Sequence, residues 1–144
     1  MKHARQKIRE EVASMLGAIT GVDVYRSRVY PIVRLPVISI FANGEASESE
    51  NKTIGAPRRY TRRLVLEIEI TVAAVTGADD EADDLAAQVE AIMAGDLTIG
   101  DMATDSELTN AAMELGAGET PTAKTRLVYE VWYRTTGADP ETAL

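Results

Sequence analysis

The densest group of ionisable side chains is a run of carboxylates near the middle of the chain. Its members are Asp79, Asp80, Glu81, Asp83 and Asp84. Carboxylates bind divalent cations, but successive residues of a helix point in different directions, and the spaced oxygens and glycine of a calcium loop are missing. Acids in the first turn of a helix also interact favourably with its dipole, by about 0.3 to 1 kcal/mol each. The pattern therefore favours the start of an acidic helix, and we predict no metal site.

A second charged group has the opposite sign. Four arginines lie close together, namely Arg58, Arg59, Arg62 and Arg63. Basic clusters can bind nucleic acid, but few aromatic residues lie among these arginines, no nucleic-acid-binding module is recognisable, and the net charge of the chain is -8. A contact between subunits or a solvated rim is the favoured interpretation.

The residues that most enzymes use are scarce. The chain has no cysteine and one histidine, His3, which excludes disulfides, a thiolate nucleophile, Cys-ligated zinc and a multi-histidine metal site. The glycine-rich stretch at 116–121 lacks the lysine and hydroxyl residue of a phosphate-binding loop. Since no nucleophile with a base and no cofactor fingerprint can be assembled, we predict a protein without catalytic residues or a cofactor.

The charges are distributed unevenly along the chain. Residues 1–63 contain 12 Lys and Arg against 6 Asp and Glu, residues 64–123 contain 14 Asp and Glu and no Lys or Arg, and the remainder has 3 of each. A molecule with surfaces of opposite sign can bind a copy of itself head to tail, and such contacts close into a ring when the rotation permits. The alternative is that these charges are only solvated faces.

The elements that would position these residues follow from hydrophobic periodicity. Residues 62–75 alternate, with Leu64, Leu66, Ile68, Ile70 and Val72 on one face, which predicts a long central strand. Spacings of three and four predict an amphipathic helix over residues 4–19, ended by Gly21, and an acidic helix from Asp79 to Gly95. Further strands are predicted at 22–27, 37–42, 108–115 and 125–134.

The remaining segments are predicted to be irregular. Flexible loops are expected at 43–57 and 116–122, and a frayed tail at 135–144. Trp132 falls on the more polar side of the final strand, where either an interface or a helix-covered core would explain it. We predict one domain over residues 1–144 with an α+β fold, in which two helices pack on one face of a mostly antiparallel sheet of about four to five strands.

The expected cellular context follows from hydropathy. No run approaches the roughly 18 to 20 apolar residues that span a bilayer. The first 21 residues are charged and periodic, unlike a signal peptide. We therefore expect a soluble protein that is made in the cytoplasm and has no membrane partner.

Several stretches together resemble a known family. They are Met1-Lys2-His3 with the helix behind it, the strand and turn LPVISIFANGEA at 35–46, the strand LEIEI at 66–70 with the acidic helix ending AIM at 91–93, and the closing strand LVYEVWY at 127–133. In order and spacing these stretches resemble the lambda-type phage tail terminators, also called minor tail protein U.

The resemblance implies a non-enzymatic homo-oligomeric ring, expected to be a hexamer, at the head-proximal end of the virion tail. Such a ring caps the tail tube, ends its polymerisation and offers an attachment surface to the head and neck. Its partners would be copies of itself, the major tail tube protein and a neck or connector protein, with DNA passing through the channel without specific binding. The family supplies no catalytic residues to carry over.

Within this picture, the four arginines, the five carboxylates of the acidic run and Trp132 are the hypothesised contacts between subunits or with partners. Other acids of residues 64–123 would face the channel and repel DNA phosphate. The loops at 43–57 and 116–122 would become ordered on assembly. The alternatives are another head–tail connector, such as a stopper or joining protein, and, from a different class, a small-molecule-binding α+β domain.

Overall fold

The computed structural model describes residues 2–26, 36–50, 57–74, 76–116 and 122–144. Within these residues the chain forms helix α1 (Ala4–Leu16), strands β1 (Asp23–Tyr25), β2 (Val37–Ser49) and β3 (Arg59–Ala73), helix α2 (Ala78–Gly95), and strands β4 (Asp105–Gly116) and β5 (Thr122–Thr136). The strands form one sheet in the order β1-β2-β3-β5-β4. The predicted α+β fold is confirmed.

The sheet is built outward from β3, which pairs antiparallel with β2 on one side and with β5 on the other. Strand β4 is antiparallel to β5 at one edge, and the short β1 is parallel to β2 at the opposite edge. The prediction that the alternating stretch is the central strand is confirmed. Fifteen residues without glycine or proline give β3 the length to pair along both of its neighbours.

Both helices pack on one side of the sheet, which we call the helix-covered face. Helix α1 buries residues at spacings of four, and the apolar stripe of α2 packs beside it on β3 and β5. The core contains the five alternating residues of β3, namely Leu64, Leu66, Ile68, Ile70 and Val72, each with no exposed surface. Each such side chain contributes about 1.5 to 3 kcal/mol relative to an exposed one.

The opposite side of the sheet, which we call the open face, carries the residues between the core positions. None of the described helices packs on it. Glu67 and Glu69 of β3 lie on this face, yet they are only 7% and 4% exposed. Because β3 is flanked by strands on both sides, the side chains of its neighbours cover these carboxylates, which is why they are more buried than the polar half of an alternating strand usually is.

Strand β2 corrects the prediction of a loop at 43–57. Residues 43–49 continue the strand, and their backbone pairs with the start of β3. The register shifts between Ala42 and Glu45, where Gly44 has a φ of 104°. A β-bulge at a glycine lets a strand continue where Asn43-Gly44 would otherwise form a turn. Residues 51–56 of the predicted loop, and 117–121 of the second one, lie outside the described part of the chain.

The C-terminal segment corrects the prediction of a frayed tail at 135–144. Its first two residues belong to β5, and the rest folds back on the molecule. The backbone N–H of Ala4 donates to the carbonyl of Pro140 at 2.9 Å, and the N–H of Leu144 donates to the carbonyl of Arg134 at 2.8 Å. These bonds hold the segment against the molecule, and the carbonyl of Pro140 satisfies one of the free N–H groups at the start of α1.

Several ends of helices and strands also differ from the predictions by a few residues, and two of them show why. Helix α1 ends at Leu16, where Gly17 caps it, rather than continuing to Gly21. Strand β4 begins at Asp105, three residues before the predicted start, and its pairing with β5 extends over both strands. In each case tertiary pairing or a cap moved an end that local propensity leaves open.

Candidate functional surfaces

The four predicted arginines do not form one surface. Alternation along β3 places Arg62 on the helix-covered face and Arg59 and Arg63 on the open face, while Arg58 precedes the strand. The side chain of Arg62 is only 14% exposed, with Nη1 3.3 Å from Glu45 Oε2. The guanidinium of Arg62 therefore binds residues of its own chain, which corrects the prediction that Arg62 belongs to an exposed basic cluster.

Glu45 is the centre of a buried polar group on the helix-covered face. Its Oε2 also lies 2.9 Å from Nη1 of Arg5 in α1. The hydroxyl of Tyr133 in β5 donates a hydrogen bond to Oε1 of Glu45. Burial, reinforced by this hydrogen bond to a carboxylate, raises the pKa of Tyr133. No local pattern predicts this group, because the bulge at Gly44 decides on which face Glu45 lies.

A second glutamate, directly after β2, pairs with another arginine. Arg134 donates from Nε and Nη2 to the two carboxylate oxygens of Glu50, at 2.5 and 2.8 Å. This hydrogen bonding by Arg134, with a further hydrogen bond from Thr61, lowers the pKa of Glu50 to about 2. Acids of the same chain thus compensate much of the positive charge at the arginine-rich end of the sheet.

The open face carries its own ion pairs. Arg126 of β5 donates from Nη2 to Glu69 Oε2 at 3.1 Å, and Lys124 Nζ lies 3.6 Å from Glu69 Oε1. The hydrogen bond from Arg126 to Glu69 raises the pKa of Arg126. These pairs allow the acids of β3 to be buried without a net charge. These ion pairs cannot be predicted from local sequence, because their members lie on adjacent strands and are far apart in the chain.

The predicted acidic helix forms as α2, and the five predicted acids lie along its first two turns. Asp79, Asp80, Glu81, Asp83 and Asp84 are all exposed, and none makes an ion pair with another described residue. The helix begins after Gly77, which has no side chain to cap it. Acids in the first turn therefore supply the favourable charge at this end. Across the described residues, no cluster of three or more potential metal ligands occurs.

The sheet order separates the charges of the chain in space. Residues 76–116, comprising α2, the following turn and β4, contain 11 Asp and Glu and no Lys or Arg. We call this region the acidic side. Residues 2–26, comprising α1 and β1, contain 5 Lys and Arg against 3 Asp and Glu, and we call them the basic side. Since α1 packs on β1 and β2 while α2 packs over β3 and β5 and β4 forms the far edge, the basic side lies toward the β1 edge of the sheet and the acidic side toward the β4 edge.

Trp132 lies on the open face, in register with Arg63 on β3 and Asp105 on β4. It is partly buried and lines a shallow depression of about 400 Å³ with Ala46 and Arg63. Among the described residues no helix covers it, which removes the helix-covered core as an explanation. The indole is therefore placed where a partner could reach it.

Comparison with known proteins gives the fold and little more. Neither a family model nor a curated protein matches the chain. A solved protein known only by a sequence identifier is similar over 88% of this chain and 92% of its own, with 17% identity and a TM-score of 0.50. One chain of a solved structure described as the virion of a native gene transfer agent particle aligns over 94% of this chain and 92% of its own length, with 15% identity and a TM-score of 0.37. The first likeness shows a shared fold, and the second is too weak to carry an argument.

Neither helix of the described residues is long and apolar enough to cross a bilayer.

Proposed function

We propose that this protein is a structural subunit of a phage virion, and specifically a tail-terminator-type subunit that forms a homo-oligomeric ring on the tail tube. One observation carries the proposal. The acidic side, a segment with 11 acids and no basic residue of its own, lies toward the β4 edge of the sheet, and the net basic side lies toward the β1 edge. The α+β fold agrees with what the resemblance to that family implies.

Charge at opposite edges favours one mode of self-association over another. When copies stand side by side in the same orientation, the basic side of each faces the acidic side of the next, and the attraction repeats at every contact. A two-fold pair through either edge would set like charge against like charge. Heterologous contacts of the first kind close into a ring when the rotation between copies is a fraction of a full turn.

The mechanism of such a ring is steric and electrostatic. One rim of the ring would match the end of the tail tube and block further tube subunits, and the other rim would bind a neck or connector protein. The role needs no nucleophile, cofactor or metal. Acids that do not meet a neighbour would line the channel, where their charge would repel DNA phosphate and let DNA pass without binding. By analogy with the family, we expect six copies in the ring.

Negative-stain microscopy of the purified protein, alone and mixed with tail tubes, tests the proposal. The expected result is rings of uniform diameter, bound at one end of each tube. Binding to capsid portals in place of tubes would identify a different head–tail connector. A protein that stays a monomer or a two-fold pair even with tubes would overturn the ring, and the small-molecule-binding alternative would then be tested by ligand-induced thermal stabilisation.

Charge reversal on α2 tests the electrostatic part. The pair Asp80→Lys and Asp84→Lys changes two exposed acids that are one helical turn apart. We expect loss of rings with retained helical circular dichroism, because the fold loses at most about 1 kcal/mol per dipole contact. Asp80→Asn with Asp84→Asn, which removes the two charges without reversing them, is the matched comparison and should weaken ring formation less than the two lysines.

Salt provides an independent measurement of the same attraction. Sedimentation velocity should show ring dissociation as the ionic strength rises from about 0.05 M to 0.5 M, since the screening length falls below about 10 Å above 0.1 M. Assembly that is indifferent both to salt and to the two lysines would contradict electrostatic ring closure.

A further inference from the structure

We infer that two copies contact each other through the exposed edge of β4. The C-terminal part of this strand, with Met113 and Leu115, belongs to the acidic side and packs against the α1–β1 edge of a second copy. The inference rests on the self-association in the proposed function and specifies the surfaces that meet.

Strand β4 is unusually open for a strand of its length. All of residues 109–116 are exposed, and within the described chain β4 pairs only with β5, so that its outer backbone edge is free of a partner strand. An edge of this kind is a template for pairing with another chain unless proline, a covering element or a bulge blocks it. The register shift of β4, between Leu108 and Asn110, lies at the start of this stretch, and none of residues 109–116 is proline.

Two large apolar side chains stand on this open stretch. Met113 and Leu115 are each 71% exposed. They pair with Thr125 and Ala123 of β5, which places them on the helix-covered face, but α2 packs over β3 and β5 and leaves them uncovered. Paired exposed hydrophobic residues on an edge strand are typical of a protein interface.

The surroundings of this apolar pair are acidic. Met113 and Leu115 line a depression of about 220 Å³ whose charged lining residues are Asp79 and Asp83 at the start of α2, Glu114 of β4 and Lys124 of β5, so that acids outnumber bases. A partner surface that fits this place combines apolar groups with positive charge. A partner with acids at its rim would leave these carboxylates facing like charge.

The opposite edge of the same chain offers such a surface. A depression of about 400 Å³ between α1 and β1 is lined by Val24 and Tyr25, by the guanidinium groups of Arg9 and Arg26, and by Gln6 and Glu10. Glu10 Oε1 lies 2.8 Å from Arg26 Nη1, and two guanidinium groups against one carboxylate leave the depression net basic. Arg9 donates from Nη1 to the carbonyl of Arg26 at 3.3 Å, which joins α1 to the end of β1. This combination of chemistry is the complement of the Met113–Leu115 depression.

A symmetric pairing of two β4 edges is disfavoured by the same charges. Asp105, Glu107 and Glu114 all lie on β4, and α2 adds its acids beside them. Two acidic sides brought together would set these acids against one another, with Lys124 as the one basic residue lining the Met113–Leu115 depression of each copy. Because the complementary surfaces lie at opposite edges of one sheet, each copy can use both at once, with a different neighbour at each.

Cysteine cross-linking tests the contact directly, because the chain contains no cysteine of its own. Met113→Cys and Gln6→Cys, prepared as separate proteins, would be mixed, assembled and treated with a short bis-maleimide, with the linked peptides identified by mass spectrometry. We expect a link between positions 113 and 6. A link from 113 to 113, or from 113 to the tube protein, would overturn the inference.

The same experiment separates the inference from the proposed function. Rings that form normally without a 113–6 link would overturn the assigned contact and leave the ring intact. Absence of rings in the unmodified protein, with or without tubes, would overturn both.

A pair of polar substitutions gives a second readout. Met113→Ser with Leu115→Ser should weaken self-association at least tenfold while leaving the unfolding midpoint of the monomer unchanged, because both side chains are exposed. Leu144→Ser, at a 54% exposed leucine of the C-terminal segment, is the matched control and should assemble normally. Equal loss in the control, or no loss in the double variant, would count against the contact.

Discussion

The hydroxyl of Tyr133 donates a hydrogen bond to the carboxylate of Glu45, although the two residues are 88 positions apart in the chain. The bulge at Gly44 turns Glu45 toward the helix-covered face, and the core alternation of β5 turns Tyr133 toward the same side. Arg5 of α1 completes the group. One buried carboxylate therefore links β2, β5 and the first helix.

Removal of the Tyr133 hydroxyl should destabilise the fold. Because Tyr133 is fully buried and its hydroxyl donates to a carboxyl group, Tyr133→Phe is expected to lower the free energy of unfolding by about 1.5 to 3 kcal/mol, measured by urea denaturation. Tyr129→Phe makes the same change on the same face, where the hydroxyl has no hydrogen bond to a described residue, and should cost less than about 0.5 kcal/mol. Equal losses in both variants would show that the link to Glu45 contributes nothing specific.

The backbone at Gly44 should tolerate no side chain. Its φ of 104° is one that L-residues rarely adopt, although open space surrounds the position. Gly44→Ala is therefore expected to cost about 1 kcal/mol or more through backbone strain alone. Gly95→Ala is the opposite case, because the last residue of α2 has an ordinary φ and the same open surroundings, and it should stabilise by up to about 1 kcal/mol. Thermal unfolding of both variants measures these two changes in stability. Stabilisation by Gly44→Ala would exclude the bulge geometry.

The ion pair between Glu50 and Arg134 should appear as a displaced titration. The pKa of Glu50 is lowered to about 2 in the folded protein, from 4.5. A lowered folded pKa means that the stabilisation is present above pH 4.5 and is lost as the pH falls toward 2. Carboxyl NMR should give a midpoint near 2 for Glu50, and Arg134→Gln should return it toward the ordinary value. Arg63→Gln, which removes a different guanidinium of the open face, should leave it unchanged.

Charge reversal at two adjacent arginines of β3 should lower the stability of the fold by very different amounts. Arg62→Glu places a second carboxylate beside Glu45 in a site that is 14% exposed, and we expect a loss of about 3 kcal/mol or more. Arg63→Glu changes a side chain that is 52% exposed on the open face and should cost less than about 1 kcal/mol. Chemical denaturation compares the two, and similar losses would contradict the placement of these side chains. Arg63→Glu is accordingly the cleaner probe of assembly.

The predictions from sequence succeeded where a pattern repeats over many residues. The alternation of residues 62–75 identified β3 and its core face, and the spacing of apolar residues identified both helices, because burial on one side imposes a period that is visible locally. The errors lie where the chain depends on distant partners. Residues 43–49 look like a loop in isolation and form a strand because β3 is available to pair with them.

The candidate surfaces divide in the same way. The uneven charge along the chain, the acidic start of α2 and the polar side of Trp132 are properties of the sequence, since composition and local period determine them. The order of the strands decided that the basic and acidic segments lie at opposite edges. It also decided that Arg62 is used internally and that Met113 and Leu115 are left uncovered. Strand order and register depend on contacts between residues far apart in the chain, and no local pattern encodes them.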